Sequence, residues 1–192
     1  MPTDRTTRAV ITQLRSAVVL ALGALLLFGL AYPLAGTGVS QLLFPQQANG
    51  SLTKNGSTLV GQPWNGPQWF HGRPDPDNPL RLDGVPGASG GSNLGPRSRQ
   101  LVAEVRAEAA QLRRMGAQPT ADLVTSSGSG IDPDITPQDA LAQVPMVSRS
   151  TGIPESRLRR LIRTLTVGPE LGFLGPSYVD VLELNWALAR LR

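Results

Sequence analysis

The longest apolar stretch of the chain lies near its N-terminus. No charged residue occurs between Ser16 and Thr53, and residues 17–35 form an almost wholly apolar run of 19 positions. As an α-helix this run is about 28 Å long, which matches the ~30 Å hydrocarbon core of a bilayer. We therefore predict a transmembrane helix over residues 17–35.

The charges around this segment predict its orientation. Arg5, Arg8 and Arg15 precede it, whereas the next basic residue after it is Lys54. Basic residues are retained on the cytoplasmic side of a membrane. Residues 1–16 are therefore predicted to be cytoplasmic, and the chain beyond the helix is predicted to lie outside the cytoplasm.

The remainder is predicted to be a linker, residues 36–48, followed by one compact extracytoplasmic domain, residues 49–192. A cleaved signal peptide is the alternative, because Gly29, Leu30 and Ala31 form a small-x-small triplet after an apolar run. The apolar run is longer than a signal-peptide core, which favours an uncleaved anchor. Both interpretations place the domain on the same side of the membrane.

Turn signals and short apolar runs follow the linker. Asn55 and Gly56 stand between two short β-prone runs, which predicts a hairpin with these two residues in its turn. Residues 61–96 are rich in glycine and proline but include Trp64, Trp69 and Phe70. Disordered segments rarely contain so many large aromatic side chains, so this region is predicted to be a long ordered loop.

The C-terminal half shows the period and the capping residues of helices. One helix is predicted over residues 97–115, a second from a cap at Thr136 to Gly152, and a third from Pro154 to about Gly168.

Strands are predicted over residues 122–125 and 178–184, with Asn185 as the cap of a last short helix. The fold class is therefore predicted to be α+β, with few strands and at least three helices besides the membrane helix.

Composition excludes several classes of function. The chain has no cysteine and a single histidine, so disulfides, cysteine-ligated metals and multi-histidine metal sites are excluded. The formal charge is +4, but the basic residues are spread along the chain apart from a group at 157–163. A nucleic-acid-binding protein normally shows a stronger basic stripe with interleaved aromatic residues. We therefore predict no nucleic-acid partner.

Few residues form a recognisable chemical constellation. His71 with a serine such as Ser89 would suit a membrane-anchored hydrolase, although a structural histidine in a loop is the simpler interpretation. Asp132 and Asp134, with Asp139 behind them, are better explained as caps than as a cation site, so no metal is predicted. A free-standing ligand-binding module is the further alternative.

Two Gly/Ser-rich loops precede helices, at residues 89–93 and 126–130. Such loops can present backbone N–H groups to a phosphate, but neither matches a P-loop or a dinucleotide-binding fingerprint. Tight turns that allow two elements to pack are the simpler interpretation.

The chain resembles the C subunit of the Kdp potassium-transporting P-type ATPase along essentially its whole length. Several ordered blocks behind one N-terminal span support the resemblance: residues 48–51 (ANGS), 59–62 (LVGQ), 69–74 (WFHGRP), 89–95 (SGGSNLG), 122–133 (DLVTSSGSGIDP), 142–145 (AQVP) and 181–185 (VLELN). Asp134 and Asp180 depart from the family pattern, which often has histidine and asparagine there.

The resemblance implies an accessory, non-catalytic subunit of a high-affinity, ATP-driven potassium importer, located in the cell membrane. The implied partners are a channel-like potassium-binding subunit, the P-type ATPase subunit and a small membrane peptide. The implied role is in assembly and as a catalytic chaperone that raises the ATP affinity of the ATPase subunit. ATP is then a shared cofactor, whereas potassium is the ion that the complex transports and has no predicted site in this chain. Because an extracytoplasmic domain cannot touch cytoplasmic ATP, any effect on affinity is expected to be indirect.

The resemblance and the residue types together select candidate site residues. Gln143 matches a family position proposed to contact nucleotide, with a supporting loop of Ser89, Gly90, Gly91, Ser92 and Asn93. Gly23 and Gly29 allow close approach of a partner helix. Further candidates for a partner interface are Trp64, Trp69, Phe70, Glu183 and Asn185.

Overall fold

The computed structural model describes residues 3–54, 56–76, 78–81 and 83–192. The chain divides into two compact units, residues 1–51 and residues 52–192. The first unit is helical, and the second contains several helices and a few short strands. The predicted α+β class is therefore confirmed.

Helices make up most of the first unit, and their central part is apolar. The elements of this unit are α1 (Thr3–Ala24), a π-helical segment (Leu25–Ala31), α2 (Tyr32–Leu43) and the one-turn α3 (Pro45–Ala48). Residues 7–43 are long and apolar enough to cross a membrane. At 1.5 Å per residue this stretch is about 55 Å long, so the helix extends past residue 35 into the segment interpreted as a linker.

The π-helical segment has a local cause. Its wide turns end just before Pro33, which has no N–H to donate to the i→i−4 ladder and whose ring crowds the preceding turn. At the end of the segment Tyr32 N–H donates to Leu27 O, five residues back. The helix thus continues through the proline instead of ending there.

The second unit begins with the predicted hairpin, shifted by one residue. Strands β1 (Leu52–Thr53) and β2 (Gly56–Ser57) pair antiparallel, with Thr53 opposite Gly56. In this register Gly56 lies in a strand and not in the turn. Asn55 itself, which the prediction placed in the turn, lies outside the described residues.

Three predicted helices are confirmed. They are α4 (Arg99–Met115), α5 (Pro137–Thr151) and α6 (Glu155–Leu165). Thr136 and Asp139 form a reciprocal capping box at the start of α5. Gly116 and Gly152 end α4 and α5 with φ of 92° and 75°, a conformation that glycine adopts without strain.

One predicted strand is wrong, and a second is only partly confirmed. Residues 122–124 form a turn of 3₁₀ helix. The segment 178–184 is only partly extended, because β4 (Val179–Asp180) is followed at once by α7 (Val181–Ala189). β4 pairs antiparallel with β3 (Asp134–Ile135).

The helix start at residue 181 has a clear physical reason. The carboxylate of Asp180 accepts a hydrogen bond from Glu183 N–H at 2.8 Å and so caps α7. The apolar residues that alternate over 179–184 also fit a helical face, on which Val181, Leu184 and Leu188 are buried. Asn185 consequently lies in the middle of α7, and the prediction that it caps this helix is wrong.

The hydrophobic core belongs to the second unit. It is formed by buried side chains of α5, α6, α7 and the short strands, together with Phe70 from the long loop. Its largest fully buried apolar members are Phe70, Met146, Leu158, Ile162, Leu184 and Leu188. The long loop is therefore an integral part of the fold.

Candidate functional site

Two buried side-chain amides hold the backbone of Phe70 and His71. Asn185 Oδ1 accepts a hydrogen bond from Phe70 N–H at 2.9 Å, and Asn185 Nδ2 donates to Phe70 O at 2.8 Å. Gln143 Oε1 accepts from His71 N–H at 2.8 Å, and Gln143 Nε2 donates to His71 O at 3.0 Å. We call these four residues the amide clamp.

The amide clamp uses the one side-chain group that suits this task. A primary amide carries a donor and an acceptor side by side, so it can pair with the N–H and C=O of one residue as a neighbouring strand would. Gln143 on α5 and Asn185 on α7 are both fully buried. The amide clamp therefore pairs the backbone of the buried Phe70 and the partly buried His71, which would otherwise be costly to enclose.

The geometry at Gln143 bears on its predicted contact with nucleotide. Its oxygen is engaged by His71, and its nitrogen lies near both His71 O and, at 3.4 Å, Asp139 O. A nucleotide could reach this amide only if the pairing with His71 opened. The predicted contact stays a prediction, and the structure gives Gln143 a definite role within the fold.

The chain directly after the amide clamp is bound to the second Gly/Ser loop. Asp75 is buried, and its carboxylate accepts hydrogen bonds from Ser127 N–H at 2.7 Å, from Ser127 Oγ at 2.8 Å and from Asp132 N–H at 3.3 Å. The Arg73 guanidinium donates to the carbonyls of Thr125 and Ser126 at 3.3 and 2.9 Å. These contacts fix loop 126–130 against the long loop.

The two Gly/Ser loops pack backbone to backbone. A Cβ atom on Gly91 would lie 2.9 Å from Ser127 O, and a Cβ on Gly130 would collide with Gly90 O. Ser89 Oγ donates to Ser129 O at 3.1 Å. The glycines therefore permit close approach of two loops, which agrees with the interpretation as tight turns. Ser92 and Asn93 remain exposed at the outer edge.

A cavity of about 500 Å³ lies beside these loops and α4. Ser92 and Ser126 line it from the loops, Glu104 and Glu108 line it from α4, and Arg81 completes the rim. The guanidinium of Arg81 is already paired with Asp83 at 3.1 Å. Two carboxylates on the wall repel a phosphate of the same sign, so this cavity does not favour a nucleotide phosphate.

The predicted aromatic anchors differ in their exposure. Phe70 is fully buried, so its side chain has no surface to offer to a partner. Trp64 and Trp69 are half-buried, with ring centroids 4.9 Å apart. The guanidinium of Arg192 lies 4.5 Å from the centroid of Trp69, at cation–π distance. Of these three aromatic residues, only Trp64 and Trp69 have exposed surface that a partner could contact.

His71 does not have the surroundings of a catalytic base. Its Nε2 lies 3.0 Å from Gly66 O, and burial lowers the pKa of the imidazole below its ordinary value. Ser89 Oγ is engaged by Ser129 O, as described above. Each of the two groups thus has its own backbone partner, and the geometry does not support the alternative of a His71–Ser89 hydrolase.

Carboxylates cluster where β3 meets β4. Asp134 stands opposite Asp180 in the antiparallel pair. Asp132 lies two residues before Asp134, and Glu183 lies three residues after Asp180. Burial, and then the charges of Asp180, Asp132 and Glu183, raise the pKa of Asp134 to about 6. Burial also raises the pKa of Asp180. Within the described part of the chain, no group of three His, Cys, Asp or Glu residues is arranged to hold a metal ion.

The two candidate glycines of the membrane helix have different surroundings. A Cβ on Gly23 would meet no atom within 4 Å, whereas a Cβ on Gly29 would lie 3.2 Å from Leu25 Cδ1. The side chains described along this helix are exposed. Gly23 and Gly29 thus leave backbone accessible to a neighbouring helix, and their predicted role in an interface stays a prediction.

Sequence reasoning missed the buried polar contacts of the long loop. Asp75 binds Ser127, 52 positions away, and Asn78 Nδ2 donates to Gly61 O at 2.7 Å. Both residues stand in a proline-rich stretch, where a local turn explains an Asp or an Asn equally well. No local pattern identifies such long-range partners.

These features define a class of protein. One long apolar helix precedes a small α+β unit, and the buried polar groups described above bind the unit's own loops. This arrangement is that of a small protein with one candidate membrane helix and a globular α+β unit.

The comparison with known families is specific. The chain matches the KdpC family, described as K+-transporting ATPase, c chain, over residues 14–190. The match covers most of the chain, and the protein belongs to this family. The resemblance drawn from the sequence motifs is confirmed.

Curated relatives agree with this assignment. The chain is 45% identical to the Potassium-transporting ATPase KdpC subunit of Methylobacterium nodulans over 194 residues, covering 93% of this chain and 96% of the relative. It is 46% identical to the subunit of the same name from Sorangium cellulosum, with 93% and 97% covered. For the Caulobacter vibrioides subunit the identity is 45%, with 93% of each chain covered.

Proposed function

We propose that this chain is the accessory subunit on which assembly of a potassium-importing ATPase depends. The observation that carries the proposal is the extent of the family match, which includes both the apolar helix and the globular unit. The proposed partners are a channel-like potassium-binding subunit, a P-type ATPase subunit and a small membrane peptide. The chain itself catalyses no reaction in this proposal.

The proposed topology places the N-terminus in the cytoplasm and the globular unit outside. Arg8 and Arg15 before the apolar run, and the uncharged stretch up to Lys54 after it, support this orientation. The side chains of the candidate span are exposed, as a lipid-facing helix requires.

The absence of cysteine from the sequence allows a clean test of topology. Ser92→Cys puts a single thiol at an exposed loop position, and Ala9→Cys puts one before the predicted transmembrane helix, residues 17–35. In intact cells a membrane-impermeant maleimide should label only Ser92→Cys, and Ala9→Cys should require permeabilisation. Labelling of Ala9→Cys alone in intact cells would reverse the proposed topology.

We further propose that the subunit raises the ATP affinity of the complex indirectly. In this arrangement the globular unit, residues 52–192, favours one conformation of the membrane subunits. That conformation binds ATP more tightly on the cytoplasmic side of the membrane. Couplings of this kind are typically about 1–3 kcal/mol, or roughly 5–150-fold in affinity. The test is the ATP dependence of potassium-stimulated hydrolysis by the complex with and without this chain. An unchanged KM for ATP would contradict the coupling.

A further inference from the structure

The hairpin between α6 and β4 carries an exposed apolar turn, residues 170–175. Leu171, Phe173 and Leu174 are 81%, 74% and 51% exposed. The backbone of the turn is closed, because Glu170 and Leu174 donate N–H groups to each other's carbonyls at 2.9 Å in both directions. Neighbouring large apolar side chains that remain exposed on a closed backbone mark an interaction site.

Backbone strain at Leu171 supports this interpretation. Its φ is +53°, and that of Gly172 is +82°. Glycine or asparagine adopts such a conformation readily, whereas a large side chain is rare there. Because the Leu171 side chain is mostly exposed, it gains little packing within its own unit to offset the strain. The strain and the exposure together indicate that the side chain contacts another molecule.

The local charge favours a protein over a lipid surface as that molecule. Residues 164–179 contain no lysine or arginine, and Glu170 is the one charged residue among them. Glu170 is exposed within the turn itself. Anionic headgroups attract basic residues and repel carboxylates. A pocket with an apolar floor and a basic rim complements this turn, and a buried aromatic anchor is the usual centre of such an interface.

We propose that the apolar turn docks into an apolar, basic-rimmed pocket on another subunit of the potassium-transporting ATPase, with Phe173 and Leu171 as its anchors. This inference rests on the proposed function as an assembly subunit. It adds to that function a specific contact surface, separate from the membrane helix.

Two variants of the full-length chain separate docking from folding. Phe173→Asp should lower the amount of the other ATPase subunits that co-purify with the tagged chain by at least about tenfold. Leu171→Asn relieves the backbone strain, so it should keep or raise the melting temperature of the chain. It should nevertheless lower the recovery of the other ATPase subunits severalfold. Leu59→Asn changes an apolar side chain of similar exposure, 54%, elsewhere in the unit and should leave recovery unchanged.

The outcomes distinguish this inference from the proposed function. If the wild-type chain recovers no ATPase subunit, both fail. If the wild type recovers them and Phe173→Asp and Leu171→Asn do so equally well, only the docking inference fails.

A photo-crosslinking amino acid in place of Phe173 identifies the partner directly. In membranes that contain the whole complex, we expect a crosslinked product with one of the other ATPase subunits, identified by mass spectrometry. A product with lipid alone, or no product at all, would overturn the inference.

Discussion

The amide clamp can be tested by shortening one of its side chains, as in Asn185→Ala. This substitution removes both hydrogen bonds to Phe70 and leaves the Phe70 N–H and C=O without their partner. Asn185 and Phe70 are both fully buried, so bulk water cannot replace the lost bonds without opening the core. We therefore expect a large loss of stability from a change of only a few atoms.

The magnitude follows from the two bonds. An unpaired buried backbone group costs about 1–3 kcal/mol, so two such groups together cost about 3 kcal/mol after partial relaxation. This is a large fraction of the 5–15 kcal/mol typical of a domain. For a unit of roughly 140 residues, residues 52–192, it corresponds to a melting temperature lower by about 10 °C.

The assay is denaturant or thermal unfolding of the full-length chain in mild detergent, followed by tryptophan fluorescence. Trp64, Trp69 and Trp186 are the three tryptophans of the sequence, so the signal reports on the second unit. Gln111→Ala, which removes an exposed amide on α4, is the matched control and should change stability by less than about 0.5 kcal/mol. If Asn185→Ala costs no more than this control, the reasoning about the amide clamp is wrong.

The isosteric change Asn185→Asp tests the donor half of the clamp. An ionised carboxylate can still accept from Phe70 N–H, but its other oxygen would face Phe70 O without a proton to donate. The folded state then favours the protonated acid, so the pKa of this group rises above its unfolded value. The stability of the variant should therefore recover as the pH falls, and a destabilisation that is equal at pH 4 and pH 8 would contradict the assignment.

Two further predictions concern the carboxylate cluster and the packed loops. Burial and the neighbouring carboxylates raise the pKa of Asp134 from its ordinary value of 3.8 to about 6. The folded state therefore binds the proton more tightly, and stability falls as the pH rises from about 4 to about 6. The difference in pKa limits this loss of unfolding free energy to about 3 kcal/mol, and the partial exposure of Asp134 reduces it to about 1–2 kcal/mol. Asp134→Asn should raise stability by this amount at pH 7.5 and flatten the pH profile, and an unchanged profile would refute the argument. Gly130→Ala forces a Cβ into Gly90 O and places it on a residue whose φ is +70°, so it should lower the melting temperature by several degrees. Gly128→Ala is the control, because a Cβ there meets nothing within 4 Å, and it should have a much smaller effect.

The parts of the fold that depend on local chemistry could be predicted from the sequence. The Thr136–Asp139 capping box and the terminal glycines Gly116 and Gly152 each determine a helix boundary within a few residues. The membrane helix is equally evident, because residues 17–35 are far more hydrophobic than the rest of the chain. Its continuation to Leu43 was not predicted, since the proline at position 33 normally favours the end of a helix.

The parts that depend on distant contacts could not be predicted. The segment 178–184 fits both a strand and a helical face, and the cap at Asp180 decides between them. The pairing of Phe70 with Asn185 joins positions 115 residues apart, and nothing near either residue indicates the other. The family resemblance selects Gln143, whereas the local pattern at Asn185 predicts a helix cap, and the structure gives both residues a shared role at the amide clamp.

The central claim is that this chain is a working subunit of a potassium-transporting ATPase. The most direct test is to purify the tagged full-length chain from its native membranes in mild detergent and to measure potassium-stimulated ATP hydrolysis. We predict that a P-type ATPase subunit and a channel-like polytopic subunit co-purify with that activity, and that deletion of residues 1–36 abolishes their recovery. A chain that purifies alone, with no potassium-dependent hydrolysis, would contradict the account.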